Sequence, residues 1–288
     1  MVTDDRRFSF DAYSPAQIAQ RVNDLGVAKT RQPLLSQLML GMLAGAFIGL
    51  GAMYFVLVQS DPSLGFAAKR VLGGTVFSLG LLLVVVAGAE LFTGNNLLAM
   101  AWADGKVSSG EVLRNWIVIC ASNFVGSVGL AMVVFLSNHP AMNGGAVREA
   151  YIAIATAKTT APAVNLFFSG IMCNVLVCMA VWMTLAGRSV VDKLAAIVLP
   201  ISGFVAAGYE HSVANMYLIP MGLMLKAARG DAVDLTGLAH NLGPVIAGNL
   251  VGGSVLVALV YYVIYLRPQR LAARVAASGE AKPPVAAH

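Results

Sequence analysis

The amino-acid sequence predicts an all-α membrane protein in which six transmembrane helices form two inverted three-helix repeats, with helices 2 and 5 broken. Three observations predict this fold: an apolar composition, six long apolar stretches, and two motifs that each occur twice. Of the 288 residues, 58% are hydrophobic and 11% are charged. Soluble domains have roughly 45–50% apolar and about 25% charged residues, so this composition indicates a membrane protein.

Six apolar stretches are long enough to cross a bilayer, because a spanning helix needs roughly 20 residues. They lie at about 34–58, 67–102, 112–137, 161–186, 190–226 and 241–266. We therefore expect a transmembrane domain over residues 33–266, between a cytoplasmic N-terminal segment (1–32) and a tail (267–288). The tail is polar and rich in Pro and Ala, which predicts a flexible segment.

The N-terminal segment contains SPAQIAQRVNDLG at residues 14–26. A serine cap, a proline at the first helical position and apolar residues at helical spacing (Ile18, Val22 and Leu25) predict a short amphipathic helix. We expect it to lie on the cytoplasmic surface or against a neighbouring subunit. No apolar core of the signal-peptide type precedes the first span, so we expect no cleavage.

The distribution of Lys and Arg predicts the orientation of the chain. Thirteen of these residues fall on the side that holds both termini and six on the other side. The positive-inside rule therefore places both termini in the cytoplasm. The net charge of +5 follows from this orientation and requires no nucleic-acid partner. All three cysteines lie in apolar spans, so we expect neither a disulfide nor a metal site.

Two motifs recur in the same order. GAELFTGN (88–95) in span 2 matches GYEHSVAN (208–215) in span 5, with Gly, Glu and Asn at the same spacing. Span 3 contains NFVG at 123–126, and span 6 contains NLVG at 249–252. These matches predict two repeats, at about 33–137 and 160–266. Because each repeat has an odd number of spans, the second is inverted relative to the first.

Spans 2 and 5 are about 36 and 37 residues long, much more than the roughly 20 that suffice. The shared Gly-x-Glu motif interrupts each of them, so we expect two broken helices whose second halves begin near Thr93 and Ser212. Irregular backbone is tolerated at that depth only where it is packed in protein or lines a watery cavity. Two facing breaks therefore predict a pore or a binding site at the midplane.

Glu90 and Glu210 allow two interpretations, because an ionisable group at membrane depth must be paired or must face the protein interior. The carboxylates could relay protons or contact ions. Alternatively, each could accept hydrogen bonds from free backbone N–H groups of its own helix break, and the symmetric placement favours this structural role. We also expect a structural role at the helix breaks for the shared residues Gly88, Gly208, Asn95 and Asn215, and for Ser212.

His211 has no counterpart in the first repeat, where Leu91 stands. Histidine titrates near neutral pH, so this residue could give a proton to a weak-acid anion or supply a switchable charge; a neutral core histidine is the alternative. The Thr93 and Ser212 hydroxyls could cap their helices or donate to an anion. Lys158 could concentrate anions or be a plain surface lysine.

Asparagines in three spans, Asn123, Asn174 and Asn249, could line a pore or hydrogen-bond between helices. A neutral-solute channel of the aquaporin kind would carry Asn-Pro-Ala motifs at its helix breaks, and this chain carries none. A membrane enzyme based on Glu210 and His211 would need a metal cluster, a nucleophile or a cofactor loop. The sequence has no HExxH, GxSxG or phosphate-loop motif.

Several stretches resemble those of the formate/nitrite transporter family. They are AGAELFTG (87–94), AKTTAPA (157–163), CNVLVCMAVWM (173–183), GYEHSVANM (208–216) and AGNLVGG (247–253). The resemblance implies a homopentamer with aquaporin-like protomers in a bacterial inner membrane, without cofactors. Each protomer would conduct small monovalent anions such as formate, nitrite or hydrosulfide, together with protons. Formate is the expected anion, with nitrite as the alternative.

The resemblance also implies particular site residues. The central pair would be Thr93 and His211, with Lys158 as a vestibule lysine. Asn174 and Asn249 would be pore asparagines. Two apolar constrictions would fall on Leu91 and Phe204 on the cytoplasmic side, joined by Phe77, Leu81 and Val177. Such rings force an anion to shed water, so a neutral acid passes more easily than a bare charge.

Overall fold

The computed structural model describes residues 11–278, and every regular element among them is helical. Six helices are long and apolar enough to cross a membrane, which confirms the six predicted spans. They are Leu34–Gln59, Phe66–Gly88, Ser109–Leu136, Ala163–Thr184, Val190–Ala207 and Thr236–Ala276.

The first half of the chain contains five helices. They are α1 (Pro15–Thr30), α2 (Leu34–Gln59), α3 (Phe66–Phe77, continuing through Leu79–Leu83 and the π turn Val84–Gly88), α4 (Ala99–Ala103, preceded by the 3₁₀ turn Gly94–Leu98) and α5 (Ser109–Leu136). Two 3₁₀ turns, His139–Ala141 and Asn143–Gly145, lead into the second half.

The second half contains the remaining helices. They are α6 (Ala146–Thr160), α7 (Ala163–Thr184), α8 (Val190–Ala207), α9 (Ser212–Arg229), α10 (Thr236–Leu250, continuing through the π turns Val251–Leu259 and Tyr262–Leu266) and α11 (Arg267–Ser278).

Glycines bring the same pairs of spans together in both halves. A Cβ on Gly126 of α5 would lie 2.7 Å from the carbonyl carbon of Met42 on α2. A Cβ on Gly252, in the π turn after α10, would lie 3.1 Å from the carbonyl carbon of Ile171 on α7. Span 3 thus contacts span 1 and span 6 contacts span 4 through the glycine that ends each repeated Asn-x-Val-Gly motif.

Helix α1 packs against its own chain. Ser14 and Gln17 form the capping box that starts the helix. Ile18 and Val22 of its apolar face are buried in one cluster with Met100 of α4, whereas Leu25 is exposed. The amphipathic helix is therefore present, and within the chain it packs against the second part of span 2.

Part of the segment that we expected to be flexible is helical. Helix α11 covers Arg267–Ser278 and continues directly from span 6. Its Ala, Leu and Arg residues have high helix propensity, so this part of the tail is helical. Residues 279–288, the rest of the predicted flexible tail, lie outside the described residues.

Candidate functional site

Spans 2 and 5 are interrupted at corresponding glycines. Helix α3 ends with Gly88 at φ +85°, and α8 ends at Gly208 with φ +82°. Both angles lie in the left-handed region, which glycine adopts without a Cβ penalty. Regular helical structure resumes at Gly94 and at Ser212, close to the expected positions.

The interruptions do not lie halfway along the spans. The part before the break has 23 residues in span 2 and 18 residues in span 5, and each is long enough to cross the membrane. After each break the chain starts a second helix. Spans 2 and 5 are therefore long in the sequence because each consists of a membrane-crossing helix followed by a second helical segment.

Asparagines of spans 3 and 6 hold the backbone of the two breaks. Asn123 Oδ1 accepts the Phe92 N–H at 2.8 Å, and its Nδ2 donates to the carbonyls of Gly41 (2.7 Å) and Glu90 (2.9 Å). These bonds tie the break of span 2 to span 1. The asparagine supplies both a donor and an acceptor, which a carboxylate cannot do.

Asn249 repeats these bonds in the second half. Its Oδ1 accepts the Ser212 N–H at 3.0 Å, and its Nδ2 donates to the carbonyls of Gly170 (2.8 Å) and Glu210 (3.1 Å). Asn123 and Asn249 thus make the interhelical bonds that were one of the two expectations for them. We expected the glutamate side chains to accept hydrogen bonds from the free N–H groups of the breaks. The Phe92 and Ser212 N–H groups donate to Asn123 and Asn249 instead.

The two carboxylates instead pair with lysines. Glu210 accepts bonds from Lys158 Nζ at 2.8 and 2.9 Å and from Asn215 Nδ2 at 2.6 Å. Asn215 also donates to Asn241 Oδ1 at 2.7 Å, and Asn241 donates to the Lys158 carbonyl at 3.0 Å. We call these four residues the Lys158 cluster. Lys158 is only 16% exposed, so it is not a plain surface lysine.

The first half has the same arrangement. Glu90 Oε2 accepts bonds from Lys29 Nζ at 2.9 Å and from Asn95 Nδ2 at 2.7 Å. Asn95 donates to Asn115 Oδ1 at 3.1 Å, and Asn115 donates to the Lys29 carbonyl at 3.5 Å. These four residues form the Lys29 cluster, which matches the Lys158 cluster residue by residue.

Sequence reasoning missed Lys29, Asn115 and Asn241. A signal for Lys29 was available, because AKTRQP (28–33) and AKTTAP (157–162) share the pattern AKTxxP. Each pattern lies where an amphipathic helix ends and the next span begins. The repeat therefore includes α1 in the first half and α6 in the second, so each unit has one more helix than predicted.

Thr93 and His211 meet in the protein interior. Thr93 Oγ1 lies 3.0 Å from His211 Nε2, and the two residues are 0% and 3% exposed. His211 Nδ1 accepts the Ala214 N–H at 3.1 Å, so His211 caps α9. A ring nitrogen that accepts carries no proton, so the neutral imidazole carries its proton on Nε2. Nε2 then donates to Thr93 Oγ1, and the threonine hydroxyl proton is free to bind a further acceptor.

Ser212 does not cap its helix, because His211 has that position. Its buried hydroxyl has no hydrogen-bond partner among the described residues. Asn174 Nδ2 lies 2.7 Å from Asn96 Oδ1, 2.7 Å from the Asn249 carbonyl and 3.2 Å from the Thr93 carbonyl. Asn174 therefore positions the Thr93 backbone and joins span 4 to the break of span 2 and to span 6.

Two cavities flank this centre. The Lys158 cavity, of about 260 Å³, is lined by Lys158, Glu210, His211, Phe77 and Phe204 among others. The Lys29 cavity, of about 380 Å³, is lined by residues that include Lys29, Glu90, Leu81 and Leu91. Apolar residues therefore stand beside the charged cluster in both cavities.

The expectation that Leu91 and Phe204 lie on the same side is wrong, because they line different cavities. The Phe204 ring stacks on His211 with centroids 5.8 Å apart and contacts the edge of Phe77 at 5.7 Å. Phe204 is close to the end of α8, and that end approaches Lys158. Val177 and Leu91 are buried in the same hydrophobic core cluster. Within residues 11–278, no group of three or more His, Cys, Asp or Glu residues could hold a metal ion.

Comparisons with known proteins agree with this architecture. The family model described as formate/nitrite transporter matches residues 16–263. The formate channel FocA of Escherichia coli (strain K12) is 35% identical over 274 residues, which cover 90% of this chain and 96% of that protein. The solved structure of a pentameric formate channel with formate bound has 35% identity and a TM-score of 0.75, and the match covers 81% of this chain and 98% of that one.

A more distant match concerns the fold alone. The aquaglyceroporin of Plasmodium falciparum has 13% identity and a TM-score of 0.51, with 83% of this chain and 100% of that chain covered. The aquaporin-like architecture is therefore retained at very low sequence identity.

Proposed function

The chain belongs to the formate/nitrite transporter family, whose members are channels and not enzymes, and from this premise we propose that it conducts formate together with a proton. The similarity to formate channels over 90% of the chain supports formate as the anion. One observation carries the proposal: the contact of Thr93 with His211 between two cavities that each contain a lysine.

Formate would approach the centre through either of the two cavities. The apolar residues beside each cluster then oppose its passage, since a bare carboxylate loses its water there at a large free-energy cost. A neutral acid pays far less. Passage is therefore favoured if the anion gains a proton at the centre.

The central pair can supply that proton. A proton taken up on His211 Nδ1 replaces the bond from the Ala214 N–H and makes the ring an imidazolium. The Thr93 hydroxyl then gives its proton to formate and receives the Nε2 proton of His211. Formate becomes formic acid, and the imidazolium becomes a neutral ring protonated on Nδ1. Atoms and charge balance, and no full charge remains at the centre.

We further propose that the chain forms a homopentamer in a bacterial inner membrane with both termini in the cytoplasm. The pentameric state named for the similar solved structure supports the assembly. The thirteen-to-six bias of Lys and Arg supports the orientation. In that orientation the Lys29 cavity opens to the cytoplasm and the Lys158 cavity opens to the outside.

The proposal is tested by uptake of formate, nitrite and hydrosulfide into proteoliposomes over a range of pH. Wild-type uptake of formate should rise as the external pH falls, whereas His211→Phe should assemble but lose this pH dependence. His240→Phe, at an exposed position, is the matched control. Unchanged pH dependence in His211→Phe would remove the role of the imidazole. Faster nitrite or hydrosulfide uptake would reassign the substrate.

A further inference from the structure

The lysine of the Lys158 cavity carries little net charge toward an incoming anion. Glu210 lies 2.8 Å from Lys158 Nζ, so the two form a partly buried ion pair. The Lys29 cavity has the same neutral pair of one lysine and one glutamate. A cavity therefore carries a net positive charge only if it contains an additional cation.

Among residues 11–278, the Lys158 cavity contains such a cation and the Lys29 cavity does not. Arg70, from the first turns of α3, lines the Lys158 cavity together with Gly208 and His211. The described residues that line the Lys29 cavity include Lys29 and Glu90 but no arginine. The two cavities thus differ by one positive charge, although the clusters beside them match.

The guanidinium of Arg70 keeps most of its donors available. Its Nε donates to the Ala206 carbonyl at 2.7 Å, at the last turn of α8. Its Cζ lies 5.9 Å from the centre of the Phe66 ring, on the exposed end of α3. Within residues 11–278, no Asp or Glu oxygen lies within 4.0 Å of its nitrogens, so its charge is not neutralised there.

The local backbone leaves room for this side chain. Gly208 has a positive φ, and a Cβ at this position would collide with Arg70 Nη2. Gly208 therefore ends α8 and also allows the guanidinium to lie against the break. The carbonyl end of a helix carries partial negative charge, which favours a cation in this place.

We propose that Arg70 is the anion-capture residue of the outer mouth and binds the carboxylate of an arriving small monovalent anion. Its planar fork of N–H groups suits a carboxylate better than an ammonium group does. Lys158 then holds Glu210 and the span 5 break in position, and Arg70 supplies the attraction. This inference rests on the proposed anion-channel function.

The test measures initial formate uptake into right-side-out membrane vesicles at several formate concentrations and ionic strengths. For Arg70→Gln, we expect the half-saturating formate concentration to rise about three- to sixfold, which corresponds to one charge acting across a partly hydrated cavity. The rise of this concentration with salt should be steep in the wild type and shallow in the variant, because salt screens exposed charges.

Two variants separate charge capture from a structural role. Lys69→Gln removes a neighbouring charge on α3 that does not line the cavity, and it should behave like the wild type. Arg70→Lys keeps the charge but loses the planar fork that binds Ala206. Its half-saturating formate concentration should rise by no more than half of the rise expected for Arg70→Gln. If Arg70→Gln does not assemble, Arg70→Lys decides: a half-saturating concentration as high as that expected for Arg70→Gln would make Arg70 purely structural.

The failure of this inference is distinguishable from failure of the proposed function. If the wild type shows no uptake of formate, nitrite or hydrosulfide, the channel function itself is wrong. If the wild type transports formate and Arg70→Gln leaves both the half-saturating concentration and its salt dependence unchanged, only the capture role of Arg70 is overturned.

Discussion

Replacing Asn249 with alanine should destabilise the protein through the break of span 5. The change removes three bonds, to the Ser212 N–H and to the carbonyls of Gly170 and Glu210. Interhelical bonds in membranes average about 0.6 kcal/mol, so three give a lower bound of about 2 kcal/mol. The Ser212 N–H and the Glu210 carbonyl also lose their side-chain partner in a buried site. Each unsatisfied group costs about 1–3 kcal/mol, so the two together set an upper bound of about 6 kcal/mol on the loss of stability.

The assay is thermal unfolding of the purified protein in detergent, followed by loss of assembled protein on gel filtration. A loss of this size corresponds to a fall in Tm of roughly 4–24 °C, at about 2–4 °C per kcal/mol. Asn123→Ala should show a similar fall, because Asn123 makes the equivalent bonds in the first repeat. The exposed Asn165→Ala is the control. A fall of less than about 2 °C in Asn249→Ala would refute the claim that this side chain holds the break.

Two further predictions concern packing and charge. Gly126→Ala should prevent the close approach of α5 to α2 and lower the yield of folded protein. Gly129→Ala, on the same helix, is the control and should fold normally, because nothing lies within 4 Å of its added Cβ. Equal yields of the two variants would contradict the packing role of Gly126. Lys158→Met should lower Tm because it leaves Glu210 as a buried, unpaired charge, and adding Glu210→Gln should restore at least half of the loss. No recovery in the double variant would show that the ion pair is not what Lys158 stabilises.

The sequence was sufficient to predict the spans and the existence of the breaks. Apolar length alone locates the six helices, because the bilayer fixes how many residues a span needs. The shared Gly-x-Glu motif located the breaks because both glycines adopt positive φ, at Gly88 and Gly208. These features are local, so they are readable from neighbouring residues in the chain.

The partners of the break residues were not predictable in the same way. Glu90 meets Lys29 across 61 positions of the chain, and His211 meets Thr93 across 118. Such pairs depend on how α1 and the breaks fold back on the spans, which hydropathy does not report. The side on which Phe204 lies depended on the same geometry, so it was predicted wrongly. Only the repeated AKTxxP pattern would have indicated Lys29.

The bond between Thr93 and His211 has a consequence for the origin of the molecule. One partner comes from each repeat, and the residue that matches His211 is Leu91. An ancestor assembled from two identical halves would have contained either two histidines or none at its centre. The single imidazole at the present centre therefore indicates that the two halves have diverged at this position.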